Sequence, residues 1–73
     1  MNAPRNFKEL DAVMPEIYRE HKTLCRASKQ SGIVRITAIR GDKSADIRGR
    51  SVPEAFANLI AKITEWEKEC ANQ

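Results

Sequence analysis

The stretch IVRITAIRGDKSADIRGR, Ile33–Arg50, decides the fold. Ile33–Arg40 is rich in β-branched residues and reads as a strand, and Ser44–Arg50 reads as its partner. Between them Gly41-Asp42 supplies turn chemistry, because glycine accepts the backbone angles of a primed hairpin turn. A two-residue loop pairs Arg40 with Lys43, Ala38 with Ala45, Ile36 with Ile47 and Val34 with Gly49, and a four-residue loop keeps these pairs. A three-residue loop sets Ile36 against Arg48 and Ala38 against Asp46, which mixes the faces. A slip of one residue turns every side chain over, so the even pairing is preferred. One face then shows Val34, Ile36, Ala38, Ala45 and Ile47 and must meet a core. The other shows Arg35, Thr37, Ser44, Asp46, Arg48 and Arg50, with Ile33 and Ile39 among them. Arg35 falls opposite Arg48, an unfavourable like-charge pair on neighbouring strands.

Downstream, Ser51 and Glu54 form a capping-box signature, and Pro53 is tolerated in a first helical turn. Ala55, Phe56, Leu59, Ile60, Ile63 and Trp66 recur at three- and four-residue spacing, predicting an amphipathic helix over about 52–70. Glu65, Glu67 and Glu69 oppose the helix dipole, so its end should fray unless something meets it. Trp66 reads as core at this spacing, with an interface anchor as the alternative.

Upstream, residues 1–6 read as a flexible leader. Phe7, Leu10, Met14, Ile17, Tyr18, Leu24 and Cys25 recur at helical spacing, interrupted by Pro15. A proline inside a helix removes a hydrogen bond but suits a first turn. The spacing predicts a short helical turn near 7–13 and a main helix from Pro15 to Lys29, with Gly32 as its left-handed cap. A single kinked helix over 7–29 is the alternative. The expected fold class is α+β: a single α-β-β-α domain over 7–73, both helices covering one face of an antiparallel hairpin. Pairing through a strand edge would make a four-stranded dimer, but arginine and lysine on the strands argue for a monomer.

Composition narrows the function classes. At 73 residues the chain makes one domain that buries only about 60% of its unfolded surface, so a deep substrate cavity is not expected. Net charge is +3, with five basic and two acidic residues in 31–53 and two basic and four acidic in 54–73. A basic middle and an acidic tail suit an oriented, charged partner. No run reaches membrane-spanning length, and MNAPRNFKEL lacks the apolar region of a secretion signal. A cytoplasmic protein with reduced Cys25 and Cys70 is expected, and a bridge between them would be unusual there.

Catalytic and metal signatures are weak. His21 and Cys25 would share a face of the predicted helix, and Cys70 could join them, but a fourth ligand and CxxC spacing are missing. Cys25 reads as a small buried hydrophobe. The flanking Glu20 and Lys22 point away from the His21 face, and Ser28, Ser31, Ser44 and Ser51 have no base in any local motif. Neither enzyme activity, a metal nor a cofactor is expected. Arg40-Gly41-Asp42 matches an integrin-ligand tripeptide, but reads as a hairpin tip.

The binding surface is the remaining argument. Arg35, Arg40, Lys43, Arg48 and Arg50 are the candidates for gripping carboxylates or phosphates, since arginine's planar fork suits both. The alternative is a solvated face on which Asp46 pairs with the arginines. Phe7 and Leu10, ahead of Pro15, are further candidates, as a segment that folds on a partner or simply caps the core. Sheet-based RNA readers stack bases on strand aromatics, and these strands carry none. The double-stranded-RNA-binding domain has a loosely similar element order. It needs three strands and a lysine cluster where this chain reads SVPEAF.

Over its whole length, through the leader MNAPRNFKELDAVMPEIYREHKTLCRA and the hairpin RITAIRGDKSADIRGR, the chain resembles the small host-takeover regulators of lytic phages. More narrowly, it resembles the RNA-polymerase-binding type from Xanthomonas-infecting lytic phages. The resemblance implies a protein that binds the N-terminal region of the largest polymerase subunit. It implies inhibition of initiation through loss of the sigma factor, and assistance in reading through terminators. It assigns no residue. A nucleic-acid-binding module using the basic hairpin face is the alternative.

Overall fold

The structure, a computed structural model, describes residues 3–71 and their side chains through Glu69. Its elements run α1 (Phe7–His21), β1 (Leu24–Gln30), β2 (Ile33–Arg40), β3 (Lys43–Gly49) and α2 (Val52–Ala71). The fold is α+β, as expected: a helix, an antiparallel sheet and a second helix. The sheet has three strands in the order β1-β2-β3 rather than two.

The difference lies in residues 7–30. No helix starts at Pro15; α1 starts at Phe7, because Asn6 caps it. The Asn6 side chain accepts from the Glu9 amide at 2.9 Å, and the Glu9 carboxylate accepts from the Arg5 amide at 3.3 Å. Pro15 therefore sits mid-helix, on the exposed side, where the Asp11 carbonyl forgoes its usual donor. Lys22 ends the helix in the left-handed conformation at φ 55°, its amide donating to the Tyr18 carbonyl at 2.8 Å. Thr23, fully buried, donates from Oγ1 to the His21 carbonyl at 3.1 Å and turns the chain into β1.

Nor is Gly32 a helix cap. Ser31 (φ 54°) and Gly32 (φ 78°) both have positive φ, which makes a type I′ turn joining β1 to β2. In the second hairpin only Gly41 has positive φ, at 62°, as a type II′ turn requires. The β2–β3 register is the one expected, with Val34↔Gly49, Arg35↔Arg48, Ile36↔Ile47, Ala38↔Ala45 and Arg40↔Lys43.

Both helices cover one face of the sheet. Leu10, Val13 and Ile17 of α1 and Ala55, Phe56, Leu59, Ile63 and Trp66 of α2 close over Val34, Ile36, Ala38 and Ile47. Burying each large side chain contributes roughly 1.5–3 kcal/mol. Gly49 lets α2 begin close to the sheet, since a Cβ there would lie 2.4 Å from the Ala55 nitrogen. At the start of α2 the Ser51 hydroxyl accepts from the Glu54 amide at 3.4 Å, while the Glu54 carboxylate accepts from Arg50, one residue earlier than the expected Ser51. The acidic end of α2 is met. Glu67 pairs with His21 at the end of α1, and Glu69 with Lys43 at the start of β3.

Candidate functional site

Among the described residues nothing covers the sheet face away from the helices, and the side chains of this bare face form rows across the strands. Leu24, Ile39 and Ser44 make one row, Arg26, Thr37 and Asp46 the next, and Ser28, Arg35 and Arg48 the third, with Gln30 and Ile33 beyond. Leu24, Ile33 and Ile39 are 57%, 39% and 44% exposed, and among the described residues they are three of the four large apolar side chains that stand in water. The fourth is Tyr18, on α1. The bare face is thus apolar at both ends and cationic in the middle.

The like-charge pair Arg35 and Arg48 is real, and its remedy is built in. Arg35 donates twice to the Asp46 carboxylate, from Nε at 3.2 Å and Nη2 at 2.5 Å, and Thr37 Oγ1 donates to the other oxygen at 3.2 Å. The hydrogen bonds from Arg35 hold the Asp46 carboxyl below its ordinary range, outweighing its partial loss of solvent, with Thr37 and the field of Arg48 adding to them. Arg35 is raised in turn by its bonds to Asp46. Asp46 thus answers one arginine. Among the described residues the guanidinium groups of Arg26, Arg48 and Arg50 make no ion pair with a carboxylate.

Arg35, Arg48 and Arg50 converge with Gln30, Ile33 and Glu54 on an open cleft of about 540 Å³ at the Ser31-Gly32 end of the sheet. Their order follows from alternation along β2 and β3 and from the bend into α2. The Glu54 carboxylate lies in the same cleft, engaged by the Arg50 amide at 2.5 Å.

Of the seven residues singled out from sequence, these three arginines are brought together. Arg40 and Lys43 are not with them. Arg40 continues the inward series Val34, Ile36, Ala38, and one of its terminal nitrogens is buried without a hydrogen-bond partner. Lys43, its cross-strand neighbour, bonds to Glu69 of α2. Leu10 is fully enclosed and Phe7 is half-buried against the core, so both pack the domain. His21 ends α1 while Cys25 lies in β1, so they do not share a helix face. Burial pushes the Cys25 thiol up to about 11. Among the described residues no three His, Cys, Asp or Glu side chains are grouped to hold a metal, and the side chain of Cys70 lies outside them. No helix among the described residues is long and apolar enough to cross a membrane.

Arg26 and Leu24 are members of the bare face that sequence reasoning missed, since β1 itself was missed. The alternation Leu24, Arg26, Ser28 against Cys25, Ala27 was its only signal. The third strand completes the element order of the double-stranded-RNA-binding domain, but the start of α2 still carries Glu54 and no lysine cluster. Comparison with known proteins finds no matching family model, no matching curated protein and no matching solved structure.

Proposed function

We propose that this chain is a non-enzymatic transcription regulator of the phage type, which binds host bacterial RNA polymerase in the host cytoplasm. On this reading it engages the N-terminal region of the largest subunit, inhibits initiation and assists antitermination. The resemblance described above supplies the partner. The bare sheet face supports a protein partner as such: Leu24, Ile33 and Ile39 stand exposed among Arg26, Arg35 and Arg48. A phosphate backbone offers nothing to three aliphatic side chains, whereas a protein interface uses exposed apolar and arginine side chains together. The carboxylate of Glu54 in the arginine cleft also disfavours a phosphate.

The test is binding to purified RNA polymerase at two salt concentrations. Expected is a complex that Ile39→Asp weakens at least as much as Arg48→Ala does. A grip on three phosphates by Arg35, Arg48 and Arg50 would instead lose roughly 40-fold over a fourfold rise in salt. No complex with polymerase at any stage of transcription would refute the proposal. The nucleic-acid reading is favoured by the convergence of the three arginines and predicts shifts of their resonances when duplex is added.

A further inference from the structure

We infer that β1 is a self-association edge, along which a second copy of this chain adds to extend the sheet from three strands to six. The inference goes beyond the polymerase reading and does not depend on it.

In a two-stranded hairpin the arginines of β2 and β3 would line the free edges. In the three-stranded sheet β2 is central, and the edges are β1 and β3. These edges differ. At β3 the Arg48 carbonyl accepts from Asn58 Nδ2 of α2 at 2.9 Å, so that edge is partly capped. At β1 the two-residue turn closes on the Gln30–Ile33 pair. The antiparallel pattern therefore turns the backbone groups of Gln30, Ser28, Arg26 and Leu24 toward β2, and those of Lys29, Ala27 and Cys25 outward. An open edge of this kind is a template for another strand.

The strand itself carries Arg26 and Lys29, and the cleft beside its edge is largely apolar. A cleft of about 420 Å³ lies between α1 and β1, lined by Asp11 together with Met14, Pro15, Tyr18, Leu24, Cys25 and Ala27. Tyr18 is 58% exposed there and Leu24 57%. A strand added at β1 brings a second layer over this cleft.

The sequence of β1 admits a second copy as the occupant, because the strand can pair with itself without setting like charges directly opposite. With a two-fold axis at Ala27, β1 pairs with itself as Leu24 with Gln30, Cys25 with Lys29 and Arg26 with Ser28. Each cation meets a neutral residue, and roughly six backbone hydrogen bonds form. The same operation centred on β3 sets Asp46 against Asp46. An axis at Ile47 would instead pair Asp46 with Arg48, but both β3 registers draw on the Arg48 carbonyl, which Asn58 already holds, so β1 is the edge left open to a symmetric contact. The two-fold also sets the two apolar clefts on one side of the enlarged sheet, with Met14 and Tyr18 of each copy facing the other.

The test uses the full chain alone. Sedimentation equilibrium from micromolar to millimolar protein should show the mass rising from 8.3 kDa toward twice that value. Amide exchange at high concentration should slow by at least about tenfold at Cys25, Ala27 and Lys29, with Arg26 and Ser28 unchanged. Ala27→Pro removes an outward amide and no bond to β2, so it should keep the circular dichroism of the parent and stay monomeric. If that variant does not fold, the exchange pattern of the parent decides alone. A monomer at millimolar concentration refutes the inference. So does a dimer that leaves those three amides unprotected, and so does protection of them by polymerase but not by a second copy.

Discussion

Gly49→Ala is the most exacting test of the fold. A Cβ at position 49 would lie 2.4 Å from the Ala55 nitrogen, 2.8 Å from its Cα and 3.0 Å from its Cβ. Two of these atoms are backbone, so rotamer changes cannot relieve the clash. Ala55 is fully buried, and Val52 and Phe56 beside it are nearly so, which ties the first turn of α2 to the sheet. Forcing a methyl group between packed layers costs roughly 1–3 kcal/mol. Against this, alanine restricts the unfolded chain and returns about 0.4–1 kcal/mol. Overpacking wins, leaving a net loss of about 1–2 kcal/mol. A domain of this size has only about 4–11 kcal/mol of stability, so the loss is a sizeable fraction. With a urea slope near 1 kcal/mol/M for so small a protein, the midpoint should fall by about 1–2 M. Ala55→Gly in the same chain should not restore it, because the nearest clash is with the peptide nitrogen. An unchanged midpoint for Gly49→Ala, or full rescue by Ala55→Gly, would refute the close approach of α2 to β3.

Other perturbations test other parts of the molecule. Thr23→Val strips the donor from the buried His21 carbonyl contact and should destabilise by about 1–3 kcal/mol in the same titration. Asp46 has a carboxyl lowered in the folded state, so its contribution is present above the ordinary carboxylate range and lost as pH falls through the lowered value. Asp46→Asn should flatten stability against pH in that acidic window by lowering stability at neutral pH, leaving the acid end the less affected, which thermal melts from pH 2 to 7 would show. Cys25, pushed up to about 11, should react with a maleimide at pH 8 roughly ten- to a hundredfold more slowly than an unstructured thiol, measured in a Cys70→Ser background. Parity of the two rates would mean that β1 and α1 do not enclose it.

The elements differ in how plainly they are written. The second hairpin and α2 are legible because their inward positions are fully buried and therefore aliphatic: Val34, Ile36, Ala38 and Ile47, then Leu59 and Ile63. β1 is not legible, for the opposite reason. It lies at the rim of the helical cover, none of its side chains is fully buried, and LCRASKQ has little apolar alternation to read. Tyr18, Leu24 and Cys25 happen to continue a helical spacing across the end of α1. Gly32 adds to the ambiguity, because a positive φ serves a helix cap and a primed turn equally well. Asn6 followed by Glu9 was the signal that places the helix start at Phe7, and it outweighs Pro15. On the candidate site, alternation along β2 already separates Arg35 from Arg40. What sequence does not carry is the bend after Gly49 that turns Arg50 back toward Arg35 and Arg48.

Because only one side of the sheet is roofed, neighbouring residues along each strand answer to different demands. Val34, Ile36 and Ala38 form the core, while Arg35, Thr37 and Ile39 between them lie outside it, Arg35 and Thr37 bonded to Asp46 on the surface. The bare face can therefore be rewritten codon by codon without disturbing the interior. A lineage under pressure to follow a changing target would find variation tolerated at every second position of β2, and a saturation library across 33–40 should display that two-residue rhythm.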